Sequence, residues 1–173
     1  MKERLKGMGK TFRPSINGVS IAGVKTFMGQ DGYGLSCTVY LNGKKAGVYT
    51  DTADGNLFGE FYGDRKPLDE LVKKMPKRPI GDLMTEVELE DLVNDLYNLN
   101  EEYKIWKRYN SKGGYSIGIV YDKASGRNVC MAFGPGVGLP KMNESLKAKA
   151  VGMERPEYRF YTKESDFTRE SWA

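Results

Sequence analysis

Glu88, Asp91 and Asp95 stand three and four residues apart, a spacing that sets carboxylates on neighbouring turns of one helical face. They belong to an acidic run from Asp82 to Asp95, with Glu101 and Glu102 beyond it. Such a run could hold a magnesium ion or offer negative charge to a basic groove on another protein. A two-metal site needs carboxylates converging from several elements. This run supplies a single helix, so we read it as a solvated helix face and assign no metal.

A second group is Trp106, Lys107, Arg108, Tyr109, Lys112 and Tyr115. Aromatic rings beside cations can stack bases and pair phosphates. Trp106 continues an apolar helical stripe and is assigned to the core. Lys107, Arg108, Tyr109 and Lys112 remain as surface contacts. A third group is the glycine-rich run Gly134-Pro135-Gly136-Val137-Gly138-Leu139-Pro140-Lys141. Its spacing fits neither the phosphate loop nor the dinucleotide fingerprint. Pro135 and Pro140 also withhold two of the amides that a phosphate nest would use. The run reads as a loop up to Pro140, with Gly136, Gly138 and Lys141 as candidate contacts.

Histidine is absent, which removes the commonest general base and metal ligand. Two cysteines cannot close a tetrahedral zinc shell. Cys37 and Cys130 both lie in strand-like runs and read as buried structural thiols. The Asp/Gly loop 51–56 lacks the ligand spacing of a calcium loop. No catalytic set emerges, so the expectation is a protein that is not an enzyme and needs no cofactor.

The net charge of +4 is unevenly spread. Lys2, Arg4, Lys6, Lys10 and Arg13 face Glu3 alone within residues 1–13, which leaves 22 cations and 22 carboxylates in the remainder. A basic arm of this kind can contact phosphate, and its five cations join the candidate binding residues. The charged start has no apolar segment behind it, and no apolar run approaches the ~20 residues of a membrane span. A cytoplasmic protein without membrane contact is expected.

The elements that must position these residues follow from period and turn chemistry. Val19–Met28 reads as a strand with a bulge at Gly23. Tyr33–Leu41 alternates, with Tyr33, Leu35, Cys37, Val39 and Leu41 on one face and Gly34, Ser36, Thr38 and Tyr40 on the other. Asn42-Gly43 is a type I′ hairpin signal. The chain returns through 46–50 and again through 57–62, giving a three- or four-stranded antiparallel meander. Pro67 opens a short helix over 68–75, which Pro76 and Pro79 end. Thr85 and Glu88 fit a capping box. The stripe Leu89, Leu92, Val93, Leu96, Tyr103 and Trp106 then predicts a helix over 86–108. Residues 115–121 and 128–133 flank a second hairpin. A short helix over 143–150 and an edge strand over 158–161 follow. The expected fold is α+β: an antiparallel N-terminal β-meander, one long central amphipathic helix and a C-terminal β-hairpin. It divides into a basic arm (1–13), one domain (14–162) and a loosely ordered charged tail (163–173).

Ile16 through Tyr49, with Leu41-Asn42-Gly43-Lys44-Lys45 at its centre and Asp54-Gly55-Asn56 after it, resembles small uncharacterised proteins of bacteriophages and mobile elements. The resemblance covers about residues 12–62. It implies an accessory protein that binds a host macromolecule, including defence complexes such as CRISPR nucleases, in the host cytoplasm. The functional expectation is a non-enzymatic inhibitor of a host protein or protein–nucleic-acid complex. The alternative is a protein that binds DNA or RNA directly through the basic arm and the Tyr/Lys/Arg surface.

Overall fold

The computed structural model describes residues 11–54, 59–80 and 83–170. Most of the cations of the basic arm (Lys2, Arg4, Lys6 and Lys10) and the segment 55–58 lie outside them. The architecture is α+β, as the alternation and helical periods predict. Strands β1 (Ser15–Ile16), β2 (Val19–Gly29), β3 (Gly32–Leu41), β4 (Lys44–Asp51) and β5 (Glu60–Gly63) form an antiparallel meander. Asn42 and Gly43 adopt φ of 50° and 79° at the β3–β4 turn, as the Asn-Gly signal requires. At Gly23, with φ of 62°, the β2–β3 register shifts and forms the expected bulge.

The sheet is wider than predicted. β11 (Thr168–Arg169) pairs parallel to β1 and completes the six-stranded order β11-β1-β2-β3-β4-β5. Its inner face carries Val19, Ile21, Leu35, Cys37, Val39 and Tyr49, all buried.

That face packs on α1 (Lys66–Val72) and α2 (Leu89–Asn110). The stripe Leu89, Leu92, Val93, Leu96 and Leu99 is buried because its ~3.6-residue period keeps it on one side. α2 begins three residues later than the capping box at Thr85 and Glu88 predicts. The Thr85 hydroxyl is engaged elsewhere, donating to the Arg78 carbonyl at 3.2 Å in a small hairpin of β6 (Arg78–Ile80) and β7 (Leu83–Thr85). Glu88 becomes the N-cap, and its backbone N–H donates to Asp91 at 3.0 Å.

A three-stranded antiparallel sheet, ordered β10-β8-β9, lies against the other side of α2. Its strands are β8 (Ser116–Asp122), β9 (Asn128–Phe133) and β10 (Pro156–Tyr161). Ile117 and Ile119 of β8 join the core around α2. Val120 and Phe133 face the opposite way, toward Met142 and Leu146 of α3 (Leu139–Lys149). α3 starts four residues before the predicted 143, with Gly138 as its N-cap and Pro140 in the first turn, where a proline needs no amide partner. The glycine-rich loop therefore ends at Gly138. Residues 163–170, read as part of a charged tail, contain a 3-10 turn at Glu164–Phe167 whose Phe167 is 0% exposed. Cys130 differs from expectation too: β9 is an edge strand, and its thiol is exposed. Cys37 is buried as predicted.

Candidate functional site

The last turn of α2 holds Lys107 and Arg108, with Lys112 just beyond the C-cap Ser111. All three cations are exposed, and none has a carboxylate partner among the described residues. Placement at a helix C-terminus suits them, since the helix dipole concentrates negative potential there. The Arg108 guanidinium lies 5.4 Å from the Tyr109 ring centroid, and the Lys107 ammonium 5.9 Å from that of Tyr103. Tyr109 is half-buried against the core, so it anchors the turn while its cationic neighbours project outward.

Two further candidates approach this end. Ser116 pairs with Phe133, which brings Tyr115 and Gly134 to the same rim of the small sheet. A Cβ placed on Gly134 would lie 3.9 Å from the Tyr115 ring. The loop containing Gly136 and Gly138 thus starts beside the segment containing Lys112. Gly136 has φ of 82°, a conformation that glycine adopts without strain. Lys141 is exposed in the first turn of α3. Arg13, the one candidate of the basic arm among the described residues, is held elsewhere. Its guanidinium lies 4.2 Å from the Tyr40 ring centroid, on the six-stranded sheet. The preceding Phe12 packs on Tyr103 at 5.4 Å, one turn from Lys107. Phe12 and Arg13 therefore bridge the end of α2 and the six-stranded sheet.

The acidic run does not form the solvated face predicted for it. Arg78 of β6 reaches both Asp91, at 3.7 Å, and Asp95, in a closer contact. Burial is the first cause that raises the Asp95 carboxyl above its ordinary value, with Arg78 opposing it. Further along α2, Glu102 accepts from Arg159 of β10 at 3.0 Å and from the Tyr161 hydroxyl, and lies 3.7 Å from Arg169 of β11. The three charged side chains are only 15%, 29% and 18% exposed respectively. Burial, and then the Glu102 charge, hold the Tyr161 phenol well above its usual range. This cluster was not anticipated, because its members come from α2, β10 and β11 and share no sequence spacing.

Beside the cluster is an open polar cleft of about 280 Å³ lined by Glu157, Arg159, Tyr161, Asp166 and Arg169. Its charges are already engaged: Asp166 accepts from the backbone N–H groups of Thr162 and Lys163, Glu157 pairs with Lys123, and Arg159 and Arg169 lie against Glu102. The thiols offer little nucleophilic chemistry. Burial pushes Cys37 up to about 11, and burial together with Glu102 raises Cys130 while Arg108 opposes them. Among the described residues no group of three or more cysteine or carboxylate side chains is arranged to hold a metal ion, and no helix is long and apolar enough to cross a membrane. What the arrangement provides is a cluster of unpaired cations at the end of α2, next to a glycine-rich loop, above an interior whose charges are paired. No family model matches the sequence, and neither a curated protein nor a solved structure matches it.

Proposed function

We propose that this chain is a non-enzymatic binding protein that docks on a macromolecular partner through the end of α2. One observation carries the reading. Asp91, Asp95 and Glu102 are tied to Arg78, Arg159 and Arg169, whereas Lys107, Arg108 and Lys112 stand exposed at one helical end with no carboxylate partner among the described residues. Unpaired cations at a rim speed encounter with an acidic surface and set its salt dependence. The Gly134–Gly138 loop alongside supplies backbone that can conform to a partner.

The resemblance of residues 12–62 to phage and mobile-element proteins supports the biological setting. The protein acts in a host cytoplasm, where it inhibits or redirects a host protein or protein–nucleic-acid complex such as a defence nuclease. The test is affinity capture from bacterial lysate, with Lys107→Glu/Arg108→Glu/Lys112→Glu as the paired bait. A defined protein or nucleoprotein should be retained by the native chain and lost with the triple variant. Identical captures from both baits overturn the proposal.

A further inference from the structure

The six-stranded sheet carries helices on its inner face, and among the described residues no helix or strand covers its outer face. Ser36, Thr38 and Tyr40 of β3 point outward, and the strand registers set their neighbours beside them. Lys25 and Thr50 flank Ser36, Ala22 and Val48 flank Thr38, and Ser20 and Lys45 flank Tyr40. Phe27 lies opposite Gly34, and Tyr62 opposite Val48. Apart from Ser20, every described side chain on this face keeps contact with solvent.

Three features set the face apart. First, its ionisable groups are Arg13, Lys25, Lys45 and Glu60, so it is net positive although residues 14–173 are neutral. The three cations have no carboxylate partner among the described residues, while Glu60 accepts from the Tyr62 hydroxyl. Second, it displays aromatic rings on separate strands. Tyr62 is 63% and Phe27 38% exposed, so both rings offer a face to a ligand. Phe27 lies flat because Gly34 has no side chain: a Cβ there would sit 2.3 Å from the Phe27 ring. Third, Arg13 is held over Tyr40, which orders its guanidinium while leaving donors free at its rim.

Rings presented on an open sheet among cations and hydroxyls match what single-stranded nucleic acid requires: π-faces for unpaired bases and positive charge for the backbone. Tyr40 and Tyr62 are two strands and two register positions apart, roughly 12 Å, and Phe27 and Tyr62 three strands and four positions apart, roughly 20 Å, at ~4.8 Å per strand and ~3.4 Å per residue. Bases stacked on them would not collide. A duplex keeps its bases stacked internally and could use only the cations. An acidic polypeptide would likewise pair with the cations but leave the rings without a role.

We propose that the outer face of the six-stranded sheet binds single-stranded nucleic acid, with Phe27 and Tyr62 as stacking platforms and Arg13, Lys25 and Lys45 as phosphate contacts. This goes beyond the partner surface at the end of α2, from which it is separated by the sheet itself.

The test is fluorescence anisotropy with a labelled single-stranded oligonucleotide of about 20 nucleotides, longer than the ~4–16 that single-strand-binding modules typically occupy. The matching duplex and polyglutamate serve as comparisons. Single strand should bind, and its affinity should fall about twentyfold between roughly 50 and 200 mM salt if three phosphates are engaged. Lys25→Glu/Lys45→Glu should weaken binding at least tenfold, a rough figure, and flatten the salt slope. Phe27→Ala and Tyr62→Ala should each weaken it about 5- to 100-fold with the slope retained. Lys147→Glu/Lys149→Glu on α3 should leave it unchanged, and circular dichroism should show each variant folded. The proposal is overturned if single strand fails to bind at low salt or binds no better than duplex. It is also overturned if polyglutamate binds equally without dependence on Tyr62, which assigns the face to an acidic protein. Loss of binding in the Lys107/Arg108/Lys112 variant but not in Lys25→Glu/Lys45→Glu also overturns it, and locates nucleic acid at the helix end.

Discussion

Glu102 is the side chain on which most of the interior electrostatics converge. It receives Arg159 and the Tyr161 hydroxyl directly and sits beside Arg169. Glu102→Gln keeps the shape and removes the charge, leaving Arg169 without its carboxylate neighbour and Arg159 with only the longer 4.0 Å contact to Glu157. Breaking such a pair from one side is expensive. Partial exposure brings the expected loss to about 2–3 kcal/mol, read as a lower urea midpoint at constant slope. A second test lies at Asp122. Its carboxylate accepts from the Ser125 hydroxyl and from the backbone N–H groups of Arg155 and Ala124, tying the β8–β9 turn to the start of β10. These bonds favour the charged form and lower its value to about 2. A depressed carboxyl contributes stability above the unfolded value of ~3.9 and loses it as pH falls through the folded value. Stability should therefore decline between about pH 4 and pH 2, and Asp122→Asn should flatten that part of an acid-unfolding profile. The Glu102 network could not be read from the sequence, because Arg159 and Tyr161 lie 57 and 59 residues away and no local pattern links them. Lys107, Arg108 and Lys112 could be singled out in the sequence because they lie within six residues of one another, and the structure leaves all three exposed.

At the scale of elements, the long helix and both hairpins announce themselves through period and turn chemistry. The Asn42-Gly43 turn and the Gly23 bulge appear where positive φ demands them. Elements of two or three residues do not announce themselves. β6 and β7 pair three residues each next to prolines that read as terminators, and β1 and β11 pair two. None is long enough to show a period, and each exists because a neighbour completes it. The α2 start shows a similar competition. Two capping boxes overlap in the sequence, and the hairpin takes Thr85 out of the contest. The segment 163–170 was misread because its single large apolar residue sits in a charged run. Phe167 stacks on Tyr161 at 4.1 Å and meets Tyr103 and Trp106 of α2. Phe167→Ala should accordingly destabilise the whole fold by about 3–5 kcal/mol in chemical denaturation. A change of a few tenths of a kcal/mol would mean that the segment is dispensable.

Across the whole molecule, positive charge is exported. Asp91, Asp95 and Glu102 of α2 are drawn to arginines from β6, β10 and β11, while the cations at the end of the same helix and on the outer face of the large sheet have no carboxylate partner among the described residues. Among the described residues, cations without a carboxylate partner therefore lie on surfaces a partner can reach. Binding there should weaken with ionic strength, since exposed charges are screened within about 10 Å at 0.1 M salt. The most direct test of the docking surface is hydrogen–deuterium exchange on the free chain and on its captured complex. The account predicts slowed exchange over residues 104–115 and 134–141, with the core of α2 unchanged. Protection confined to other surfaces, or none upon complex formation, would contradict it.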